Sequence, residues 1–368
     1  LGESYAIAPD SLYPIRRIFH GTSPTPRQTY RSANETEQKL ALYWDTNLKA
    51  NANGDIGSDS IGVFLGNINF RTFDVDVYDQ SSTSWVTLKS VNNRLGGTSW
   101  ERVGNMIRST LATPTGQYVE LDECKGYSFD FGGGIVRKIK GNTSGYISNT
   151  TISKRAVFFL DDFENTDPTT ISTGYLIPKD IVLVKHLAGA TPGAAIRIKI
   201  DAQNTADGFF QIGAFMAGPF IAPQQYSNGR TITFTPGIET SETQDGVLRT
   251  RKVHEGYRNI RLAWSQGVDV SELYDSTSAD FYAATTASGA LPISAPADTP
   301  FTMLNLLRTL DGSSKPLVYI PSLDVSVKTE YIANSRNELL YGTIEGEITI
   351  EHVIGNENDS EVFRVSTM

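Results

Sequence analysis

Cysteine is nearly absent. Cys124 stands alone among 368 residues, which excludes an intrachain disulfide framework and any cysteine-rich zinc site. Histidine is also scarce, and His20, His186, His254 and His352 lie too far apart in sequence for the paired histidines of a zincin helix. No apolar run approaches the ~18 residues that a membrane helix needs, so no membrane partner is expected. Positive charge is outweighed, with 32 Lys and Arg against 41 Asp and Glu. The resulting net charge of −9 opposes broad attraction to nucleic acid, where cationic side chains must displace phosphate counterions. No basic segment leads into an apolar run at the start, so no export signal is expected. Neither a G-x-S-x-G elbow nor a GxxxxGK[ST] phosphate loop occurs, and DFGGG at 130–134 reads as a glycine-permitted loop. With no nucleophile and base in a recognisable constellation, the expectation is a protein that is not an enzyme and holds no cofactor.

Strand patterns dominate what is present. In 61–79, IGVFLGNINFRTFDVDVYD, the residues Phe73, Val75 and Val77 face one way and Asp74, Asp76 and Tyr78 the other, a half-buried strand. Gln80–Ser84 supply a turn and 85–91 the returning strand. Further strands are predicted at 117–121, 135–139, 156–160, 181–187 and 194–200. In the last of these, Ile196, Ile198 and Ile200 alternate with Arg197 and Lys199, giving one core face and one solvent face. The stretch 207–223, DGFFQIGAFMAGPFIAP, is apolar on both faces and reads as a buried central strand. Gly213 and Gly218 would admit a close neighbour, and Pro219 would end the ladder. Many short strands without alternating helices predict a mainly β protein, a β-sandwich.

Three segments follow from this reading. Residues 1–60 form an arm and its first strands, with Pro9, Pro14, Pro24 and Pro26 and the polar stretch NLKANANGDIGSDS. Residues 61–223 form the sandwich, to which the arm contributes. Residues 224–368 form a smaller α+β domain, with strands at 230–235, 247–253, 257–264, 315–320, 325–332 and 342–354. Its helices are predicted at 269–287 and from 298 or 299, where Phe301, Leu304, Leu307 and Leu310 recur at helical spacing.

Two charged groups and one carboxylate cluster are candidate sites. Asp161, Asp162, Glu164 and Asp167 carry oxygens that suit calcium but lack the spacing and glycine of a calcium loop, so a solvated turn is the first reading. Asp201, Asn204 and Asp207 read as a polar hairpin loop. Arg249, Arg251, Lys252 and Arg258, with Arg261 beside them, would line one side of a hairpin built from 247–253 and 257–264. Glu345, Glu347 and Glu351 form an acidic row on the last strand. Both charged groups suit a solvated face, and both also suit a contact between neighbouring subunits, one set of charges meeting the other.

The strands at 61–79 with Trp85, IVLVKHL at 181–187, AAIRIKI at 194–200 and GFFQIGAFMAGPFIAP at 208–223 resemble the galactose-binding-like, discoidin-type jelly-roll found in structural proteins of tailed bacteriophages. Ile212, Gly213, Ala217 and Gly218 match the late "IGxxxAG" motif of such domains, which follows a variable insertion. The resemblance implies a jelly-roll and a virion subunit, most naturally of the tail, assembled in the host cytoplasm as a homo-oligomer with other virion proteins. Its alternative implication is a module of a tail tip or fibre that binds a host-surface glycan. No family sugar-binding motif is carried over, and Trp44, Trp85, Trp100 and Trp264 are dispersed along the chain.

Overall fold

The computed structural model describes residues 29–48, 60–79, 82–113, 116–186 and 193–219. Beyond these it describes 230–235, 238–242, 248–252, 257–264, 317–320, 330–334, 340–342, 349–353 and 360–367. The chain divides into two compact units, Leu1–Phe220 with Ile320–Leu339, and Ile221–Tyr319 with Leu340–Met368. Every regular element among the described residues is a strand apart from one short 3-10 turn at Ile152–Lys154, so the protein is mainly β. Both expected helices lie outside the described residues.

Two four-stranded antiparallel sheets form the first body of unit one. One sheet runs Ala214–Pro219, Ser60–Gly66, Ile181–His186, Glu330–Asn334, and the other Gln38–Leu48, Gly193–Ile200, Thr72–Asp79, Ser84–Asn92. The pairings nest in sequence. Tyr30–Arg31 pairs with Gln211–Ile212, 38–48 with 193–200, 60–66 with 181–186, and 72–79 with 84–92 at the centre. From 38–48 to 214–219 every connection except that central hairpin crosses from one sheet to the other, so each sheet presents an inner face to its partner. Ile61, Val63, Leu65, Ile181, Leu183 and Phe215 meet Phe73, Val75, Ile196, Ile198 and Ile200 in one buried cluster, a β-sandwich core. Phe70 completes it with edge-to-face contacts to Phe73 at 5.6 Å and Phe210 at 5.9 Å.

The continuous apolar run at 181–184 is the central strand of its sheet. It is hydrogen-bonded on both sides, and Val182 and Val184 are as buried as Ile181 and Leu183. The stretch 209–217 differs from the sequence reading, because among the described residues Ala214–Pro219 is the edge of that sheet and pairs only with Ser60–Gly66. Its alternation also changes phase. Phe210 and Ile212 face the core, but so do Phe215 and Ala217, and the shift falls at Gly213, whose N–H donates to the Gly66 carbonyl at 2.8 Å. A side chain at Gly218 would meet nothing within 4 Å, so no close neighbour explains that glycine.

A second body, not expected as a separate one, is inserted between 84–92 and 181–186. Its strands close into a six-stranded barrel in the order Ile135–Asn142, Phe158–Leu160, Met106–Ser109, Leu95–Val103, Thr170–Ile177, Ser128–Gly132. It has its own core, with Trp100, Ile107, Phe129, Phe158, Leu160, Ile171 and Leu176 buried inside. Trp100 packs edge-to-face on Phe129 at 4.9 Å, and its Nε1–H donates to the Gly174 carbonyl at 3.0 Å, so this large ring is buried with its polar group satisfied. The DFGGG stretch forms the turn between Ser128–Gly132 and Ile135–Asn142. Gly132, Gly133 and Gly134 all have positive φ, at 81°, 63° and 89°, a run open only to glycine at low cost.

In unit two, Arg230–Thr235, Tyr257–Trp264, Ser360–Thr367 and Thr349–Val353 form one sheet in that order. Ile238–Glu242 pairs with Leu248–Lys252, and Leu317–Tyr319 with Leu340–Gly342. Glu330–Asn334, read from sequence as part of the C-terminal domain, pairs instead with Ile181–His186 of the sandwich.

Candidate functional site

A polar cluster joins the sandwich to the barrel. The chain leaves the sandwich at Asn93 and returns through Pro178–Asp180, and these two crossings are tied side by side: the Asn93 N–H donates to the Arg71 carbonyl, and its Nδ2 to the Pro178 carbonyl, both at 2.8 Å. Ile68 N–H donates to the Lys179 carbonyl at 2.7 Å, and Asn67 N–H to Asp180 Oδ1 at 2.7 Å. Asn67 itself takes a left-handed conformation, φ 52°, which asparagine tolerates better than most residues. Desolvation pushes the Asp180 carboxyl above its usual range, opposed by Lys179 and by the Asn67 N–H.

Further out, the loop 201–209 and the segment 69–72 of the sandwich meet the 130–138 turn of the barrel. Arg71 forms an ion pair with Asp130, whose other oxygen accepts from the Gly132 N–H at 2.7 Å. Lys138 Nζ lies 2.5 Å from Asp207 Oδ1, and Asn69 Nδ2 donates to Asp207 Oδ2 at 2.9 Å. Asn204 Nδ2 donates to the Gly134 carbonyl at 2.8 Å. Gln203 holds the sandwich side, its Oε1 accepting from Arg71 N–H and Thr72 N–H. Tyr175 lies under two guanidiniums, Arg94 at 4.6 Å and Arg71 at 5.8 Å from the ring centre. Asp201, Asn204 and Asp207, expected as a plain polar loop, therefore belong to this joint. Arg71, Asn93, Asp130 and Lys138 were not singled out from sequence, because their partners lie 59 to 85 residues away where the chain pattern carries no signal.

The carboxylate cluster resolves into a salt bridge. Asp167 is buried, and its Oδ2 and Oδ1 accept from Arg137 Nε at 2.9 Å and Nη2 at 2.8 Å. Its Oδ2 also accepts from the Glu164 N–H at 3.0 Å, and Glu164 Oε1 adds an ion pair to Arg137 at 3.1 Å. The Arg137 hydrogen bonds hold the Asp167 carboxyl below the usual carboxylate range, against the opposing pull of burial. Asp161 and Asp162 are exposed and lie beside it without joining it. Among the described residues no group of three His, Cys, Asp or Glu is placed to hold a metal ion.

The outer face of the second sheet is less wet than its alternation suggested. Arg197 is 8% exposed and Asp76 2%. Arg197 Nη2 lies 2.7 Å from Asp76 Oδ2, Thr87 Oγ1 donates to Asp76 Oδ1 at 2.8 Å, and the guanidinium covers the Trp85 ring at 4.5 Å. Arg197 is thus drawn down by a paired charge and an aromatic face. Both oxygens of Asp76 are occupied, which leaves no free base. Cys124 is buried, and burial together with Glu123 pushes its thiol up to about 12, so it is no nucleophile near neutral pH.

The arginine group is divided between two sheets. Leu248–Lys252, carrying Arg249, Arg251 and Lys252, pairs with Ile238–Glu242, with Arg251 opposite Glu239, both exposed. Arg258 lies on Tyr257–Trp264, opposite Phe234 in the larger sheet, so these two strands do not form the single hairpin that was expected. Leu248–Lys252 pairs with the strand before it, whereas Tyr257–Trp264 reaches past that hairpin to Arg230–Thr235 on one side and takes Ser360–Thr367 on the other. Glu351 lies on Thr349–Val353, opposite Val362, while Glu345 and Glu347 fall outside the described residues. Of the four tryptophans, Trp100 is sealed in the barrel core, and half-buried Trp85 carries Arg197 over its ring. In comparisons with protein families, curated proteins and solved structures, the chain matches none.

Proposed function

We propose that this protein is a non-enzymatic structural subunit that assembles with copies of itself and with other proteins, its setting a bacteriophage virion and most naturally the tail. The observation that carries the assembly reading is the placement of exposed apolar side chains. Val103, Met106, Tyr118, Leu121, Ile152 and Phe163 all belong to the barrel body, and among the described residues only Val86 and Ile238 elsewhere are comparable. Neighbouring exposed apolar groups mark a surface for a partner, and Val103, Met106 and Phe163 are neighbours here. Val103 and Met106 oppose each other across one hairpin, and Arg102 ties Phe163 to it, its guanidinium 5.5 Å over the ring while Nη1 donates to the Gly104 carbonyl at 2.7 Å.

The nested pairing of the sandwich supports assigning it to the jelly-roll class, since a rolled ribbon of antiparallel pairs is what that topology is. The insertion at 93–180 supports the reading in that the phage resemblance implies a variable insertion between early and late strands. The virion setting rests on that resemblance. Catalysis finds no support at the described polar clusters, because Asp76, Asp130 and Asp167 are each committed to an arginine.

Native mass spectrometry of the full chain tests this reading. A closed oligomer, weakened by Val103→Ser with Met106→Ser, is the expected result. A monomer at tens of micromolar that binds members of a glycan array would overturn it in favour of a carbohydrate-binding module.

A further inference from the structure

We infer that the barrel is a hinged arm, closed against the sandwich by a polar clasp that salt can open. The inference does not depend on the virion reading. Three observations carry it. First, the two bodies have separate cores: every residue of the sandwich cluster lies outside 93–180, and every residue of the barrel cluster lies inside it. Among the described residues no buried apolar cluster spans the joint, so the term that most strongly fixes one domain against another is missing there, and relative motion is the default for such an interface.

Second, the chain crosses between the bodies twice at one place. The crossings at Asn93 and Pro178 are hydrogen-bonded to each other, and Asn67 and Ile68 hold the return at Lys179 and Asp180. Two strands side by side make a hinge, since rotation about their common line breaks none of these bonds.

Third, the contacts away from this hinge are polar and partly wet. Arg71 pairs with Asp130 at side-chain exposures of 29% and 12%, and Lys138 with Asp207 at 42% and 16%. Asn204 donates across to the Gly134 carbonyl. Lys138 is the most exposed member of these pairs, so its pair with Asp207 is the more open to screening as the Debye length falls to about 3 Å at 1 M salt, while Arg71–Asp130, with Asp130 buried, is screened less. The closed state is also imperfectly satisfied: Arg71 Nε is buried with no hydrogen-bond partner, which lowers its advantage.

Single-molecule energy transfer on the full chain tests the clasp, with dyes at Ser84→Cys on the sandwich and Lys154→Cys on the barrel. Buried Cys124 stays unlabelled. The expected result is a second transfer population that grows from 50 mM to 1 M NaCl. Lys138→Glu, which faces Asp207, should raise the open-to-closed ratio roughly tenfold at low salt, equal to about 1.4 kcal/mol. Combining Lys138→Glu with Asp207→Lys should return it toward the parent value. A single transfer population that the parent keeps unchanged across the salt range would overturn the inference, whether or not the variants fold.

Discussion

Gly174→Ala is the sharpest probe of the two-core architecture. A Cβ at Gly174 would lie 2.6 Å from Phe129 Cζ, 2.9 Å from Trp100 Cδ1 and 3.1 Å from Ile171 Cγ2. None of these is a flexible chain end. Phe129 and Trp100 are packed edge-to-face, Phe158 backs Trp100 at 5.8 Å, and Trp100 is anchored through Nε1 to the carbonyl of Gly174 itself. Overpacking a filled core costs typically 1–3 kcal/mol, and three rigid contacts place this variant near the top, about 3 kcal/mol. That raises the unfolded fraction of the barrel by about a hundredfold, at 1.4 kcal/mol per decade. For a body of this size each kcal/mol is worth about 4–8 °C in melting temperature. Because the cores are separate, the loss should be local. Hydrogen exchange read by mass spectrometry should show amide protection falling in 95–177 and persisting in 60–79 and 193–200. An equal fall in both bodies would refute the separation of the cores, and unchanged protection in the barrel would refute the packing at Gly174.

Asp167→Ala should cost about 2–3 kcal/mol in urea unfolding at pH 7. It strands Arg137, but that side chain is 20% exposed and keeps Glu164 as a partner, which places it below the 3–5 kcal/mol of a fully buried pair. The pH dependence has a definite sign. A carboxyl held low in the folded state contributes stability above its unfolded value of about 3.9, and that contribution is lost as pH falls through the lower folded value. The gap between parent and variant should therefore narrow below about pH 4, and a gap that is constant down to pH 2 would count against the ion pair. Cys124 should resist a maleimide at pH 7.5 in the native chain and react on unfolding, since burial disfavours the thiolate. Stoichiometric labelling of the native protein would contradict its burial.

Strand identity was legible in the local pattern. The alternations at 72–79 and 193–200 and the continuous apolar run at 181–184 each appear in the structure as strands with the expected residues in the core, although Asp76 and Arg197, expected on the solvent face, are buried as well. At 209–217 the pattern misled, because one extra residue at Gly213 reverses which side chains face inward, and an apolar residue on either face looks the same in sequence. The polar joint was invisible for a different reason. Asn204 and Asp207 look like any loop until Gly134 and Lys138, about 70 residues earlier in the chain, are folded against them.

The sequence by itself determined that this is a strand-built chain without an intrachain disulfide and with no recognisable catalytic motif, because composition and period-two alternation are local properties of the chain. Only the tertiary structure decided that the strands divide into a sandwich and an inserted barrel. Pairing 128–132 with 170–177 closes the barrel, and pairing 60–66 with 181–186 closes the sandwich around it. Such choices depend on which distant edges meet and what they bury together, a cooperative outcome that no single stretch of residues contains.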